Sequence, residues 1–276
     1  MNKSANPPVV LSISALDPSG AGGIQADIET AASVGSHCSP IISALCTEAL
    51  TSRTSVVAVD STILIEQARS VLEALDVRAI KIGFLGSVSN IEAVHSILTD
   101  FEHIPCVVQP ALFLVNDENP KQLDIPEALA SLILPLTNVS CMSLFEARSF
   151  EEQSDTIDAT AQNILSLGCE HVLITGTGKD HQQFQNSYYS TSKAEHEPWM
   201  EEAPSSHGGS STLTMSIASY MAHGFAAPQA VRQGLHFTLQ AMRASREMGL
   251  ADRIPHRFFW ADKNIDLKNS STKGGH

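Results

Sequence analysis

PVVLSISALDPSGAGG, residues 8–23, joins an apolar run to a glycine-rich turn. The β-branched run over 8–14 predicts a strand, and the glycines after it predict a tight turn. Beyond the turn, one face of a helix is predicted from the spacing of Ile24, Ile28, Ala31 and Ala32. The stretch therefore predicts a strand–turn–helix unit.

The same alternation repeats along the chain. Apolar runs predict further strands at 54–59, 79–82, 106–108, 139–141 and 171–175. Helical periodicity between them predicts helices over 65–75, 91–101, 128–133 and 157–165. Units of this length require parallel strand pairing with helices on both faces of the sheet. We therefore expect an α/β fold with an open, mostly parallel, doubly wound sheet rather than a closed eightfold barrel.

The last third of the sequence departs from this alternation. Residues 185–203 lose the helical period and predict antiparallel strands, and two consecutive helices are predicted around 213–221 and 231–242. No long linker or internal repeat divides the chain, so we expect one domain over 1–262. Residues 263–276 are polar and aperiodic, which predicts a loose tail.

Composition limits the function classes. The 276 residues carry 17 Lys and Arg against 30 Asp and Glu, a net charge of −13. Without a basic cluster, the sequence gives no support for nucleic-acid binding. No apolar segment is long enough for a membrane helix, so no membrane partner is expected. The five cysteines include no CxxC pair, which favours reduced thiols and a cytoplasmic protein.

The first candidate site is the loop at 17–27, DPSGAGGIQAD. Glycines between a strand and a helix let the backbone approach a ligand, and the helix N-terminus favours an anion or a polar group. Two alternatives remain open at this point. Gly20 and Gly22 resemble the start of a dinucleotide-binding GxGxxG motif, although Gln25 occupies the third glycine position, and a tight turn without any ligand is equally compatible with the loop.

The second candidate site is the loop at 205–213, SSHGGSSTL, which precedes an amphipathic helix. Its small residues leave successive N–H groups available for phosphoryl oxygens, and Ser and Thr supply helix caps. A Walker loop is excluded because no GK[ST] follows a glycine at the required spacing. The alternative interpretation is a serine-capped helix start with no phosphate site.

In this order, the motifs resemble those of the ribokinase-like hydroxymethylpyrimidine and phosphomethylpyrimidine kinases of thiamine biosynthesis. The resemblance covers about residues 8–245, and its most specific element is DPSGAGGIQAD, close to the family's DPSGGAGIQAD. Further matches are AIKIGFLG at 79–86, LPL at 134–136, FEA at 145–147 and the HG…ST run at 207–212. The resemblance implies a three-layer αβα sandwich, a pyrimidine substrate, ATP, Mg²⁺ and a homodimer.

The resemblance also implies roles for individual residues. The catalytic anion site would comprise Gly208, Gly209, Ser210 and Ser211. The pyrimidine would be bound by Ala15, Asp17, Gly22, Asp27 and Glu48, although Asp17 is also explained as a turn cap. The nucleotide would be bound by Lys81, Ser143, Thr175, Gly176 and Thr212, although Lys81 is also explained as a strand-end lysine that extends to solvent. Glu146 would help to organise Mg²⁺.

Several positions depart from the family pattern. The family's HGTGCT is HGGSST here, so that Ser210 replaces a glycine and Ser211 replaces a cysteine thought to activate the substrate hydroxyl. Ser143 replaces an Asn, and Gln109 replaces the Asp of an Asp-Pro strand end. A serine without a partner cannot act as a base near neutral pH, and a positive φ at Ser210 would cost about 1 kcal/mol. The alternative function is therefore an impaired homologue that binds a pyrimidine or vitamin precursor without phosphoryl transfer.

Overall fold

The structure is a computed structural model that describes residues 6–47, 55–115, 119, 122–150, 154, 156–177, 186–191, 194–195, 206–248 and 253–261. Two predicted features, the ligand contact at Glu48 and the tail at 263–276, lie outside the described residues. Within those ranges, no helix has the length and apolar character needed to span a bilayer.

A nine-stranded sheet forms the centre of the fold, in the order β3-β2-β1-β4-β5-β6-β7-β8-β9. Its strands are β1 Val9–Leu16, β2 His37–Cys46, β3 Val56–Ala58, β4 Val77–Ile82, β5 Cys106–Val108, β6 Val139–Ser143, β7 His171–Thr175, β8 Ser187–Ser190 and β9 Ala194–Glu195. The inner pairs from β2 to β7 are parallel, and β3, β8 and β9 add antiparallel pairs at the two edges. The predicted open, mostly parallel sheet is confirmed.

Helices cover both faces of this sheet. They are α1 Gly23–Val34, α2 Ser61–Ala74, α3 Val88–Asp100, α4 Ile125–Ala128, α5 Leu144–Phe150, α6 Ile157–Ser166, α7 Gly209–Ala222 and α8 Ala227–Arg243. The helices α1, α7 and α8 pack on one face, and α2 to α6 pack on the other. A short antiparallel hairpin, β10 Arg246–Glu247 with β11 Arg253–Ile254, follows α8. The arrangement is the expected three-layer αβα sandwich.

The first strand explains why both faces must be covered. Val10 lies in the core cluster with α7 and α8, whereas Leu11 and Ile13 lie in the cluster with α2 and α3. Successive side chains of a strand point to opposite faces, so an uninterrupted apolar run needs a partner layer on each side. The apolar strands predicted from sequence therefore determine the layering.

One strand was missed, and the buried face of one helix was misplaced. Strand β2 was not predicted, since His37 and Pro40 interrupt its apolar pattern; Pro40 is tolerated because β3 pairs only with the last residues of β2, at Ala44 to Cys46. The predicted buried face of α1 was also misplaced. Ile28 is 37% exposed, while Asp27 is buried.

The segment predicted as a helix at 128–133 is more irregular than expected. It starts as α4, continues as a π-helical stretch over Leu129–Ile133 and ends in a 3₁₀ turn over Leu134–Leu136. Helix α5, directly after β6, was not predicted at all. Neither difference disturbs the strand order that positions the candidate site.

Candidate active site

Two loops that are distant in sequence meet beyond the carboxyl end of β1. We call residues 17–23, before α1, the glycine loop, and residues 206–211, at the start of α7, the anion loop. The backbone N–H of Gly23 donates to Ser211 Oγ at 3.2 Å, across 188 residues of sequence. A cavity of about 620 Å³ lies between the loops. Its lining includes the predicted residues Ala15, Asp17, Gly22, Gly208, Gly209, Ser210 and Ser211.

Asp17 holds the glycine loop in shape. One carboxylate oxygen accepts hydrogen bonds from the backbone N–H of Ser19, at 2.8 Å, and from Ser19 Oγ, at 2.7 Å. The other oxygen accepts from the N–H of Gly22 at 3.0 Å. Gly23 follows with φ +58°, where a Cβ would overlap the carbonyl oxygen of Ala15. Asp17 is therefore a turn cap that also borders the cavity, and glycine is required at 23.

The anion loop enters α7 through a left-handed residue. Gly208 has φ +88°, and its carbonyl accepts the first helical hydrogen bond, from the N–H of Thr212 at 3.0 Å. The N–H groups of Gly209, Ser210 and Ser211 therefore have no acceptor within the helix. Together with the helix dipole, they favour a bound anion.

The strain expected at Ser210 is absent. Ser210 lies in the first turn of α7, and among the described residues other than glycine only Ala111 has a positive φ. Gly208 adopts the left-handed conformation instead, so the serine at 210 is sterically acceptable. The expected cost of about 1 kcal/mol is therefore corrected.

Two of the departures from the family pattern contact each other. Ser211 Oγ donates to Oε1 of Gln109 at 3.4 Å while it accepts from the N–H of Gly23. Ser211 and Gln109 are 7% and 3% exposed, and both border the cavity. The Ser211 hydroxyl is thus held between a neutral donor and a neutral acceptor, which orients it but gives it no base.

An apolar wall completes the cavity. Phe84 follows β4 and is buried, and Phe113 and Leu114 lie on the 3₁₀ turn after β5. Ala111 precedes this turn with φ 52°, a conformation that a residue other than glycine adopts at a cost of about 1–3 kcal/mol. Aromatic and aliphatic walls beside a few polar groups suit a flat heterocycle.

Asp27 and Lys81 do not line the cavity. Both are fully buried, and Lys81 Nζ lies 2.8 Å from one oxygen of Asp27, which also accepts from Ser12 Oγ at 2.7 Å. The predicted contacts of Asp27 with the pyrimidine and of Lys81 with the nucleotide stay predictions; in the structure the two side chains are paired with each other inside the protein. The alternative of a solvent-reaching lysine is wrong. Ser14 connects the pair to the cavity, which it borders, since Lys81 Nζ lies 3.4 Å from Ser14 Oγ.

Glu146 serves the backbone rather than an open metal site. One oxygen accepts from the N–H of Leu112 at 3.0 Å, and the other accepts from Ser143 N–H and Oγ at 2.7 and 2.8 Å. The side chain is 2% exposed, and burial raises the pKa of the Glu146 carboxyl. The prediction that Glu146 helps to organise Mg²⁺ stays a prediction; in the structure its carboxylate, with Ser143, fixes the 3₁₀ turn that follows the strained Ala111.

The remaining nucleotide-side residues are not brought to this cavity. Thr212 is buried, donates to the carbonyl of Gly208 at 2.9 Å and accepts from Arg257 at 3.0 Å, and its predicted contact with the nucleotide stays a prediction. Thr175 ends β7, and its hydroxyl donates to the carbonyl of Met142 at 3.4 Å. Gly176 follows with φ +73°, and no atom of the described residues lies within 4 Å of the position that its Cβ would take. Both stand at the carboxyl edge of the sheet, next to residues outside the described ranges.

Sequence reasoning missed three contributors. Phe84 and Ser14 belong to strand and strand-end segments that predicted only core positions. Arg257 contacts both loops from a segment more than 40 residues beyond the anion loop, where no motif drew attention to it. The signal that the sequence offered was an arginine followed by three aromatic residues, RFFW at 257–260.

Magnesium has no ready protein site in the described part of the chain. No group of three or more His, Cys, Asp or Glu side chains is close enough there to hold an ion. Asp17 and Glu146 use both carboxylate oxygens within the protein. The residues therefore fit Mg²⁺ only as part of a nucleotide complex, in which phosphates and water supply most ligands.

The sequence matches the family model described as phosphomethylpyrimidine kinase over residues 17–255. A hydroxymethylpyrimidine/phosphomethylpyrimidine kinase of Mycobacterium tuberculosis is 28% identical over 256 residues, which cover 88% of this chain and 91% of that protein. The pyridoxal kinase of Bacillus subtilis, solved as an ADP complex, superposes with a TM-score of 0.83 at 23% identity, covering 92% and 98% of the two chains. A pyridoxal kinase of Staphylococcus aureus, in complex with AMP-PCP and pyridoxal, gives a TM-score of 0.77 at 24% identity, covering 92% and 94%.

Proposed function

The chain belongs to the phosphomethylpyrimidine kinase family, and on that premise we propose that it transfers the γ-phosphoryl group of ATP to hydroxymethylpyrimidine or to its monophosphate. In this reaction the substrate oxygen forms a new bond to phosphorus, and the bond from the γ-phosphorus to the β–γ bridging oxygen breaks. Hydroxymethylpyrimidine gives its monophosphate, ADP and a proton, whereas the monophosphate gives the diphosphate and ADP, because there an ionised phosphate oxygen attacks. The comparisons give no support to the alternative of an impaired binding homologue.

One observation carries the proposal: the glycine loop and the anion loop face a single cavity and are joined by the hydrogen bond from Gly23 to Ser211. A pyrimidine ring would lie against Phe84 and the backbone of Ala15. Its oxygen would then approach Ser211, beside N–H groups suited to phosphoryl oxygens. Holding two reactants in this way can supply a large part of a rate acceleration without covalent chemistry.

Among the residues that the structure describes, no base is bonded to the Ser211 hydroxyl. Ser211 Oγ is hydrogen-bonded only to neutral groups, the N–H of Gly23 and the amide of Gln109. We therefore assign Ser211 the role of orienting the substrate oxygen, and the proton leaves to a phosphoryl oxygen or to water. Phosphoryl transfer tolerates this because its transition state depends mainly on positioning and on neutralisation of charge.

Magnesium enters this proposal with the nucleotide. The Mg²⁺ ion of MgATP would neutralise phosphate charge, and the loop N–H groups would add a donor set that carries no net charge. Thr175 and Gly176, at the end of β7, remain our candidates for the nucleoside side of ATP because they lie at the carboxyl edge of the sheet and no atom of the described residues lies within 4 Å of a Cβ placed on Gly176.

The experiment measures ADP formation with MgATP and hydroxymethylpyrimidine, with its monophosphate and pyridoxal as parallel acceptors. We expect acceptor-dependent ADP with at least one pyrimidine, and a fall in kcat of about tenfold to a hundredfold for Ser211→Ala, because the substrate oxygen loses its orienting hydroxyl. Ser216→Ala is the matched control: this serine lies in the same helix, and its hydroxyl donates to the carbonyl of Leu213 at 2.8 Å. Calorimetric binding of the pyrimidine without any ADP formation would overturn the proposal.

Three expectations about the whole protein accompany the proposal. We propose a cytoplasmic enzyme, supported by five free cysteines, of which Cys106, Cys141 and Cys169 are buried. We also keep the prediction of one domain over 1–262 and that of a homodimer. Light scattering on the purified chain measures the oligomeric state.

A further inference from the structure

We propose that Arg257 is a positioning residue for phosphoryl transfer, and that its guanidinium fixes the glycine loop and the anion loop relative to each other. The inference rests on the proposed function, but it concerns a residue outside both loops and outside every motif described above. Arg257 lies after the C-terminal hairpin, on the face of the fold that carries α1 and α7.

Each nitrogen of the guanidinium has its own acceptor. Nε donates to Thr212 Oγ1 at 3.0 Å, Nη1 donates to Oε2 of Glu29 at 2.9 Å, and Nη2 donates to the carbonyl of Ala21. The side chain is 1% exposed. The guanidinium is planar and rigid, so three hydrogen bonds from it fix the directions of its three partners relative to each other. The ammonium group of a lysine is a single point on a flexible chain and cannot do this.

These acceptors lead directly to the reacting region. Ala21 belongs to the glycine loop, one residue before Gly22 on the cavity wall. The Thr212 hydroxyl bonded by Arg257 donates in turn to the carbonyl of Gly208, the left-handed residue that starts the anion loop's helix. A Cβ on Gly208 would lie 2.9 Å from Nη2, so the guanidinium is directly behind this turn. Arg257 therefore connects both walls of the cavity through one rigid group.

A gain in folding stability does not by itself explain why the charged side chain of Arg257 is buried. Burial of an ion pair is often no more stabilising than apolar side chains of similar volume. Burial lowers the pKa of Arg257, and Glu29 opposes that shift. The segment already has other anchors, since Ser33 Oγ donates to the carbonyl of Arg257 at 2.7 Å and Trp260 Nε1 donates to Ser33 Oγ at 2.7 Å. What the guanidinium adds is the geometry between the two loops.

The test uses chemical rescue. A second cavity of about 620 Å³, bordered by Glu29, His256 and Phe258, opens onto Arg257 and gives small ions a route to its position. For Arg257→Ala we expect kcat to fall about a hundredfold, because a displacement of about 1 Å between reacting groups costs that much. Guanidinium at tens of millimolar should restore kcat at least tenfold, whereas ammonium, urea and sodium chloride at equal concentration should not.

Two further variants separate positioning from folding. Arg257→Lys keeps the charge but cannot reach Thr212 and Ala21 together, so it should remain impaired. Arg253→Ala is the matched control, because the Arg253 side chain lies in the same segment and bonds Ser245 and Glu247 instead of the loops. The Arg253 backbone carbonyl, which accepts from the N–H of His207 at 2.9 Å, is kept in this variant, so its kcat should equal that of the wild type. Thermal unfolding of each variant is recorded beside its kinetics.

The outcomes are distinct. A folded Arg257→Ala with wild-type kcat, or an impaired one that guanidinium does not rescue, overturns the positioning role. If the wild type itself forms no ADP, the proposed function fails, and the role of Arg257 is read from calorimetric affinity for AMP-PCP. That affinity should weaken in Arg257→Ala and recover with guanidinium; an unchanged affinity overturns the inference independently of turnover.

Discussion

Two adjacent glycines in the anion loop should respond oppositely to alanine. Gly208 has φ +88°, and a Cβ there would overlap the carbonyl oxygen of Ala21, which Arg257 already holds. The left-handed conformation alone costs alanine about 1–2 kcal/mol. Because the overlapping carbonyl oxygen and carbon of Ala21 belong to the backbone, the glycine loop would also have to move. Gly209 has no positive φ and starts α7; a Cβ there would make ordinary contacts with the sulfur of Met242 at 3.5 Å, with its methyl carbon at 3.8 Å and with Ser206 Oγ at 3.8 Å. Alanine at 209 should therefore be neutral or stabilise the protein by up to about 1 kcal/mol.

The assay combines urea unfolding with ADP formation on wild type, Gly208→Ala and Gly209→Ala. We expect Gly208→Ala to lose at least about 1 kcal/mol of unfolding free energy and about a hundredfold in kcat, because the N–H groups at 209–211 lose their position. Gly209→Ala should retain stability and lose less than about threefold in kcat, which corresponds to less than about 0.7 kcal/mol of barrier. Equal damage from the two substitutions, or a fully active Gly208→Ala, would refute the geometry of the anion loop.

Three further predictions concern buried groups around the cavity. Ala111→Gly should raise the unfolding free energy by up to about 1 kcal/mol in urea denaturation, since glycine adopts φ 52° without strain; a destabilised variant would contradict this. Lys81→Met should cost about 3–5 kcal/mol because the buried Asp27 carboxylate loses its counter-ion, and adding Asp27→Asn should recover part of that loss; no recovery would argue against the ion pair. Burial raises the pKa of Glu146, so its contribution to stability is full below the ordinary pKa near 4.5 and is lost as pH rises through the native value. The difference in unfolding free energy between wild type and Glu146→Gln should therefore change between pH 4.5 and neutrality, and a constant difference would exclude this linkage.

The sequence predicts the sheet well because its strands are continuous apolar runs. The segments at 106–108 and 171–175 match β5 and β7 to the residue. Strand β2 was missed because His37 and Pro40 interrupt its apolar residues, and Pro40 is tolerated because β3 does not pair with that part of β2. The misplaced face of α1 has a different cause. Asp27 is buried by its ion pair with Lys81, and hydrophobic periodicity contains no information about a partner 54 residues away.

The candidate site, too, was predictable only in part. Backbone features were predictable, since glycines between a strand and a helix identify both loops and the cavity does lie between them. The roles of side chains were harder to predict. The sequence does not show whether a carboxylate such as Glu146 faces an ion or accepts hydrogen bonds from backbone and hydroxyl donors, as it does here. Arg257 contacts Ala21 across 236 residues, and only the fold brings them together.

The departures at 109, 210 and 211 form one consistent neutral site rather than three separate losses. Ser210 is harmless because Gly208 takes the left-handed turn. Ser211 and Gln109 satisfy each other, so that neither a thiol nor a carboxylate is needed to complete the wall. Since no described base is bonded to Ser211, we expect the rate to come from placing the acceptor oxygen, the phosphoryl group and the N–H donors together. The rate then depends on how rigidly the two loops are held, which is why Arg257, remote from the chemistry, should matter as much as Ser211.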